Sequence, residues 1–362
     1  MATAGQEHTV QVSGALCCMN RFQVLRKVAP EVCELTERRH IVLQSVYLQQ
    51  PIGRRALAAK LAWPERMVRK EVEFLREAGL LETETAGMAI TSTGEWVLQG
   101  LKGIIRDLHG LSDLENLLAR RLSLRKVIVV PGDSDRDEAV KKEIAGATAK
   151  LLAEVLGEGD VLAVTGGTTL AEVANSFPAQ DEGRDLLVVP ARGGLGEEVE
   201  LQANSVAALI AQGLGGRYRL LHVSDDLGEE AMASVACDPK IREILGIIRS
   251  AQVVLHGIGT ASDMAKRRGL SPELMSHLKE YQAVGEALGY YFDCHGEIVY
   301  TTRSVGLNLE DLSTIDTVIA VGGGRSKAEA ALAVLSTGHQ HIYITDEGAA
   351  RQMLEALDNW CE

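Results

Sequence analysis

Residues that mark secreted, disulfide-rich or membrane proteins are scarce in this chain of 362 residues. Only six cysteines are present and none forms a Cys-x-x-Cys pair, which argues against a zinc site or a disulfide framework. No run of about 18 apolar residues exists, so no membrane span is expected. The first residues lack the charged start and long apolar run of a signal peptide. These features predict a cytoplasmic protein without a metal.

Aromatic residues make up only 4% of the chain, whereas glycine is frequent, with 36 residues. From Lys126 onward, short β-branched runs alternate with helical segments, which predicts a doubly wound α/β fold with a mostly parallel sheet. The runs cover residues 127–130, 161–164, 186–189, 218–223, 253–255, 318–321 and 342–344. Residues 289–302 are the exception, because Cys294-His295-Gly296 joins two extended runs as an antiparallel hairpin.

Residues 52–81 have the pattern of a helix-turn-helix. Stepping about 100° per residue places apolar side chains on the facing sides of two short helices. These side chains are Leu57, Ala58 and Leu61 in the first helix, and Val68, Val72 and Leu75 in the second. Residues 80–85 and 88–91 then read as a small hairpin, a "wing". The segment therefore predicts a winged helix-turn-helix, the alternative being an ordinary amphipathic surface helix.

A basic stripe lies opposite the apolar face of the second helix, and two arginines begin the first helix. The candidate DNA-binding residues are Arg54, Arg55, Arg66, Arg69, Lys70 and Glu73. Guanidinium groups there can bind phosphates or the O6/N7 edge of guanine. Residues 21–80 hold 12 Lys and Arg against 7 Asp and Glu, whereas residues 81–362 hold 25 against 42. This basic segment in an acidic chain confines the expected DNA contact to one end.

Four domain segments are expected from these patterns. Residues 1–18 are expected to be a disordered extension, 19–109 the DNA-binding domain, 110–124 a linker helix and 125–362 the large α/β domain. Leucines recur at helical spacing in the linker segment. The helix is expected either to pair with its copy in a homo-oligomer or to pack on its own chain.

Four of the predicted strands run into glycine-rich turns. The turns are Thr165-Gly166-Gly167-Thr168-Thr169, Pro190-Ala191-Arg192-Gly193-Gly194, His256-Gly257-Ile258-Gly259 and Gly322-Gly323-Gly324-Arg325-Ser326-Lys327. In a parallel sheet all four lie at one edge, where ligands bind. Backbone amides, helix starts and the charges of Arg192 and Lys327 favour an anionic, phosphorylated ligand. The alternative is that the glycines only shape tight turns.

Two of these turns also have the spacing of a capping box, from Thr169 to Glu172 and from Ser326 to Glu329. None has the dinucleotide-binding or Walker pattern, so NAD and ATP are disfavoured and no cofactor is expected.

The glycine-rich motifs together resemble the effector domain of the SorC-type sugar-responsive repressors. The resemblance rests on TGGTT, VVPARGGLGEEVELQAN, VVLHGIG, GEALGYYFD and AVGGGRSKAEAALAVL, preceded by PIGRRALAAKL and KEVEFLREAGLL, and covers roughly residues 20–360. It implies an effector domain related to sugar-phosphate isomerases and deaminases. It also implies a repressor of glycolytic operons that binds double-stranded operator DNA as a dimer or tetramer and is induced by fructose 1,6-bisphosphate.

The resemblance also implies a set of effector-binding residues. Gly166, Gly167, Thr168 and Thr169 would hold one phosphate, and Lys327 would hold phosphate at a helix start. Arg192, Gln202 and Arg267 would reach the ligand, Gly257 and Gly259 would line the floor, and Glu286 would accept hydrogen bonds from sugar hydroxyls. Arg325 departs from the family pattern, and either adds a phosphate contact or points to solvent.

Two other functions remain open at this point. The large domain could be an isomerase or deaminase with Glu286 as base and Lys327 as its electrostatic partner. It could also be an inert body on a DNA-binding architectural protein. The DNA-binding pattern favours a regulator without catalytic residues.

Overall fold

The computed structural model of the chain describes residues 21–84, 86–177, 183–194, 198–224, 234, 237–302 and 304–359. The extension expected at residues 1–18 lies outside this range. The chain divides into two compact units, residues 1–111 and 112–362. No helix of the described part is long and apolar enough to cross a membrane.

The smaller unit combines helices with a two-stranded sheet. Its described elements are α1 (Arg21–Val28), α2 (Pro30–Gln49), α3 (Arg54–Leu61), α4 (Glu65–Glu77), β1 (Leu81–Glu84), β2 (Gly87–Ile90) and α5 (Ser92–Leu108). The predicted packing of α3 and α4 is confirmed, because Leu57 and Ala58 share one buried cluster with Val68, Val72 and Leu75.

The turns around α4 fit the helix-turn-helix. Ala62 ends α3 in the left-handed region with φ 51°, and Gly79 follows α4 with φ 74°. A left-handed residue after the last helical turn lets the chain leave the helix while the last carbonyls stay hydrogen-bonded. Here the Ala62 N–H donates to the carbonyls of Ala58 and Ala59.

The wing is an antiparallel hairpin in which Leu81 lies opposite Ile90. Ile52 exchanges backbone hydrogen bonds of 3.1 and 2.9 Å with Met88, so the start of the helix-turn-helix is tied to the wing. Thr91 then caps α5 by accepting a hydrogen bond from the Gly94 N–H. The winged helix-turn-helix is therefore confirmed, although Thr85 at the tip of the wing is outside the described residues.

The larger unit is an α/β domain, as predicted. Its described elements are α6 (Leu111–Arg121), β3 (Lys126–Val130), α7 (Glu138–Val155), β4 (Val161–Val164), α8 (Thr168–Asn175), β5 (Leu187–Pro190), α9 (Ala203–Leu214), β6 (Arg217–Tyr218), α10 (Pro239–Arg249), β7 (Val253–Gly257), β8 (Gly259–Thr260), α11 (Ala261–Arg267), α12 (Pro272–Glu280), β9 (Gly285–Ala287), β10 (Tyr290–Phe292), β11 (Ile298–Thr301), β12 (Thr317–Val321), α13 (Ala328–Ser336), β13 (Ile342–Asp346) and α14 (Glu347–Asn359).

Seven strands form one parallel sheet in the order β3-β13-β12-β7-β4-β5-β6. From β4 the chain moves outward through β5 and β6, and then returns to β7 and moves the other way through β12 and β13. Because parallel crossovers are right-handed, the two directions place their helices on opposite faces of the sheet. The order therefore reverses between β4 and β7, and the carboxyl ends of these strands frame a crevice where ligands bind in such folds.

The predicted hairpin at residues 289–302 is confirmed as β10 and β11, which belong to a second, antiparallel sheet of order β11-β10-β9-β8. The strand predicted at residues 218–223 is wrong beyond Tyr218. Asn204 accounts for the difference, because its side-chain amide donates to the carbonyl of Leu221 and accepts from the Leu221 N–H, both at 3.0 Å. These backbone groups are therefore not available to a strand ladder.

The helix expected at residues 110–124 is α6, which falls almost wholly in the larger unit. Leu114 and Leu118 are buried within the single chain. The Glu115 carboxylate accepts a hydrogen bond of 2.7 Å from the Val129 N–H of β3. These contacts support the alternative in which the leucine face packs on its own chain.

Candidate functional site

A cavity of about 550 Å³ lies at the carboxyl ends of β4, β5 and β7, at the point where the strand order reverses. Small-molecule pockets have volumes of roughly 300–1,000 Å³, so this cavity has room for a sugar-sized ligand. Among the described residues, its charged lining consists of five cations and three anions: Arg192, Lys266, Arg267, Arg268 and Lys327, and Glu198, Asp263 and Glu286. The excess of cations suits an anionic ligand.

The turn after β4 brings backbone amides to the cavity. A side chain at Gly166 would overlap the carbonyl oxygen of Leu201, and Gly167 has φ 119°, so both positions favour glycine. Gly167 directly precedes α8, and in the described part of the chain no side chain caps this helix start. The capping box predicted at Thr169 is therefore wrong, because Thr169 lies inside α8. The amides of the first turn consequently face the cavity without a side-chain acceptor.

Arg192 extends from the turn after β5 and is almost fully buried. Its Nε donates a hydrogen bond of 2.7 Å to Ser304 Oγ, and one Nη donates at 3.3 Å to Thr302 Oγ1. Gly289 leaves the space that the guanidinium occupies, since a side chain there would overlap it. Arg192 is thus held at the cavity wall by the chain around it.

Helix α11 follows β8 and carries a second set of charges to the cavity. Thr260 caps it by accepting from the Asp263 N–H at 3.2 Å. At its end, Arg268 forms an ion pair of 3.1 Å with Glu286 of β9, and each side chain is only 5% exposed. The same Glu286 oxygen accepts a hydrogen bond of 2.6 Å from the Gly289 N–H. Glu286 is therefore already held by an arginine that the sequence did not single out.

Lys327 reaches the same cavity from the turn after β12. Burial lowers the pKa of Lys327, and the nearby positive charge of Lys141 lowers it further. Asp135 and Asp263 act in the opposite direction, because a nearby negative charge favours the ammonium. An anion bound beside Lys327 would also favour the charged form.

The rest of the turn after β12 does not serve the cavity. The Gly324 N–H donates to Asp346 at 2.6 Å, and the Ser326 N–H donates to Asp135 at 2.7 Å. Ser326 lies inside a short 3-10 helix, Arg325–Lys327, and Lys327 directly precedes the following helix, so the capping box predicted at Ser326 is wrong. Arg325 pairs with Glu355 at 2.9 Å and is exposed, which favours the solvent-facing alternative. The cavity is therefore lined by three of the four glycine-rich turns, together with Lys327 from the fourth.

The smaller unit presents the predicted basic stripe. Arg54, Arg55, Arg66, Arg69 and Lys70 are all exposed. Exposed arginines and lysines on α4 and at the start of α3 fit contact with a DNA backbone and groove.

Two glutamates of α4 modify this surface. Glu73 is half-buried and accepts a hydrogen bond of 2.8 Å from Arg69, one helical turn away. Glu71, which the sequence did not single out, is fully buried and pairs with Arg39 of α2 at 3.1 Å. Its buried charge is thus paired, and it joins α4 to α2.

Comparisons with known proteins match both units. The family model described as "Putative sugar-binding domain" matches residues 106–355, and the model of the CggR N-terminal DNA-binding domain matches residues 35–105. The central glycolytic genes regulator of Priestia megaterium is 44% identical over 334 residues, which cover 92% of this chain and 98% of that protein. The chain belongs to the central glycolytic genes regulator family. The Bacillus subtilis member is 42% identical, with 93% and 99% of the two chains covered.

Solved structures agree with this family. A SorC family transcriptional regulator from Enterococcus faecalis is 40% identical, with a TM-score of 0.63, over 67% of this chain and 99% of that chain. The full-length sorbitol operon regulator SorC from Klebsiella pneumoniae, at 18% identity, shows the fold alone, with a TM-score of 0.65 over 93% and 100% of the two chains. The chain is thus a transcriptional regulator with a DNA-binding and a sugar-binding domain, and its relatives are regulators rather than enzymes.

All eleven residues that the family resemblance implies line the one cavity: Gly166, Gly167, Thr168, Thr169, Arg192, Gln202, Gly257, Gly259, Arg267, Glu286 and Lys327. The sequence missed Arg268, Lys266 and Asp263, which also line it. Thr260 and Asp263 have capping-box spacing directly after a strand, and this signal could have drawn attention to α11. No signal distinguishes Arg268 from its neighbour Arg267.

Proposed function

We propose that the chain represses glycolytic genes and leaves its operator when a phosphorylated sugar, fructose 1,6-bisphosphate, occupies the cavity. The observation that carries the proposal is the cavity at the reversal of strand order, which combines an uncapped helix start with five cationic side chains. The names of the family members support glycolytic genes as the target.

One phosphate of the effector binds at the start of α8. The amides and hydroxyls of Thr168 and Thr169 point their donors at it, and the partial positive charge of the helix start stabilises it. Lys327 adds a full charge from the neighbouring turn. Because Gly166 and Gly167 carry no side chains, the backbone can approach the phosphate closely.

The remaining cations suit a second phosphate and the sugar between the two. Arg192 belongs to a separate wall of the cavity, with Thr302, Ser304 and Gly289 around it. Glu286 lies near this wall and offers carboxylate oxygens, which accept hydrogen bonds from sugar hydroxyls. A ligand with two phosphates and several hydroxyls uses both kinds of group.

Effector binding controls the operator through the assembly of a homo-oligomer, a dimer or tetramer. The ligand can shift the equilibrium only by its different affinity for the DNA-bound and free arrangements. A change in how the larger units pair would move the helix-turn-helix domains out of register with the operator half-sites.

The test is the affinity of the full chain for its operator, measured by fluorescence anisotropy with and without effector. We expect fructose 1,6-bisphosphate to weaken operator binding by roughly 5- to 150-fold, the usual range of allosteric coupling, and fructose without phosphate to have no effect. The double variant Thr168→Ala, Lys327→Ala should bind the operator normally but no longer respond. An operator affinity that the bisphosphate leaves unchanged would refute the proposal.

The same protein sample distinguishes the other two functions. An enzyme would convert fructose 6-phosphate or glucosamine 6-phosphate to product during incubation. An inert architectural body would show no thermal shift with any phosphorylated sugar, whereas a bound ligand raises stability by mass action. We expect a thermal shift with the bisphosphate and no turnover.

A further inference from the structure

Three successive amides in the turn after β12 donate to carboxylates of the chain itself. The Gly324 N–H donates to Asp346 at 2.6 Å, the Arg325 N–H to Asp133 at 3.3 Å and the Ser326 N–H to Asp135 at 2.7 Å. Successive amides of this kind form a concave anion site in phosphate-binding loops. Here the anion is supplied by the protein.

The glycines of this turn leave the space that these carboxylates occupy. A side chain at Gly324 would overlap a carboxylate oxygen of Asp135, and Gly324 has φ 97°. A side chain at Gly323 would lie 2.5 Å from an oxygen of Asp346 and 2.9 Å from Ser134 Oγ. The glycine-rich sequence therefore admits the chain's own acidic side chains at this turn.

Asp135 makes two hydrogen bonds with Ser326, the residue of the turn that directly precedes Lys327. Its second carboxylate oxygen accepts a hydrogen bond of 3.1 Å from Ser326 Oγ, in addition to the bond from the Ser326 N–H. Asp346 is completely buried and also accepts from the Ala349 N–H at 2.8 Å, so it is needed by the fold. Asp135 is exposed, so its replacement should leave the core intact.

We propose that Asp135 is a positioning residue of the effector site, which fixes the turn at residues 324–326 and thereby holds Lys327 at the cavity. This inference rests on the proposed function, because it assigns Lys327 to the phosphate of the effector. Asp135 itself does not line the cavity in the described part of the chain.

The charge of Asp135 also affects the protonation of Lys327. Lys141 of α7 and Arg267 of α11 lower the pKa of Lys327, whereas Asp135 and Asp263 raise it. Removing the charge of Asp135 takes away one of the two negative charges of the described chain that favour the ammonium against burial and the two cations. The ammonium should then lose its proton at a lower pH than in the wild type, so a phosphate should lose this charged partner earlier as the pH rises.

The test is the variant Asp135→Asn in the full chain, with effector affinity measured by calorimetry using fructose 1,6-bisphosphate. We expect affinity roughly tenfold lower than that of the wild type near neutral pH, because the turn loses the contacts with Ser326 and no longer holds Lys327 against the phosphate, which weakens one charge-assisted interaction. We also expect the loss of affinity at alkaline pH to begin at a lower pH than in the wild type. A purely structural role would not shift this profile.

Asp137 provides the matched control, because it lies in the same loop but caps α7 through the Ala139 N–H at 3.0 Å. Asparagine caps helices as well as aspartate does, so Asp137→Asn should keep the wild-type affinity and pH profile. Asp135→Glu keeps the charge and should return the affinity to within about threefold of the wild type.

The role of Lys327 is tested by combining variants. If Asp135 acts through Lys327, Asp135→Asn should cause no further loss in a chain that already carries Lys327→Met. Wild-type affinity and pH profile in Asp135→Asn would overturn this inference and leave the proposed function intact. A wild-type chain that binds no sugar phosphate would overturn both.

Discussion

Replacing Lys327 by methionine removes one charge from the cavity and keeps a side chain of similar length. A hydrogen bond to a charged group contributes about 1.5–3 kcal/mol, which corresponds to roughly 10- to 150-fold in affinity. Burial and Lys141 already disfavour the ammonium in the free protein, so part of the attraction to phosphate only restores the charge. We therefore expect the lower part of this range, roughly 10- to 30-fold weaker binding of fructose 1,6-bisphosphate.

The assay is calorimetric titration of the full chain with the bisphosphate at fixed pH and ionic strength. Arg325→Met is the matched control, because this variant also removes one positive charge from the same turn. Arg325 pairs with Glu355 and does not line the cavity in the described part of the chain. We expect the control to bind the effector within about threefold of the wild type. Both variants should bind operator DNA normally in the absence of effector.

Two results would refute this reasoning. Equal effector affinity in Lys327→Met and the wild type would mean that Lys327 does not contact the phosphate. An equal loss in Lys327→Met and Arg325→Met would mean that the effect comes from the general charge of the domain rather than from one contact.

Three further expectations concern pH, the phosphate turn and the DNA interface. Because Lys327 must be protonated to pair with phosphate and its pKa is lowered, effector affinity should fall as the pH rises, beginning below 10.5, the ordinary lysine value; titrations between about pH 7.5 and about pH 10 would show this. Gly166→Ala should weaken effector binding at least about tenfold by calorimetry, because its methyl group would overlap the Leu201 carbonyl; unchanged affinity would argue against phosphate at this turn. Lys70→Ala should weaken operator binding and reduce the slope of log affinity against log salt by about 1, whereas an unchanged slope would exclude a phosphate contact.

Part of the cavity could be predicted because it follows from topology, whereas Gln202, Arg267 and Glu286 were expected only from the family resemblance. Thr168, Arg192 and Gly257 are far apart in the sequence, but each follows a strand of one parallel sheet, and the carboxyl ends of parallel strands meet at one edge. The facing sides of α3 and α4 could also be predicted, because helical spacing fixes which apolar residues lie on the same side of a helix.

The role of the fourth glycine-rich turn could not be predicted from sequence. Backbone amides donate to a phosphate or to a carboxylate of the chain in the same geometry. Asp135 lies far before this turn in the sequence, and Asp346 lies after it, at the end of β13. The glycine pattern is the same in both cases, so only the packed structure identifies the anion.

The direction of side chains at the end of a helix is a second feature that could not be predicted from the sequence. Arg267 and Arg268 are adjacent at the end of α11 and both line the cavity, whereas the family resemblance implied only Arg267. Arg268, which directly follows α11 and still has helical dihedrals, is the residue whose side chain is buried against Glu286. Side-chain direction at such positions depends on tertiary packing.

The most direct test of control by a phosphorylated sugar is the effector's dissociation constant, measured on the free protein and on the protein saturated with operator. Coupling between two sites is reciprocal, so the operator should weaken binding of fructose 1,6-bisphosphate by the same factor, roughly 5- to 150-fold, by which the bisphosphate weakens operator binding. Equal dissociation constants for the bisphosphate with and without operator would contradict the coupling of the cavity to DNA.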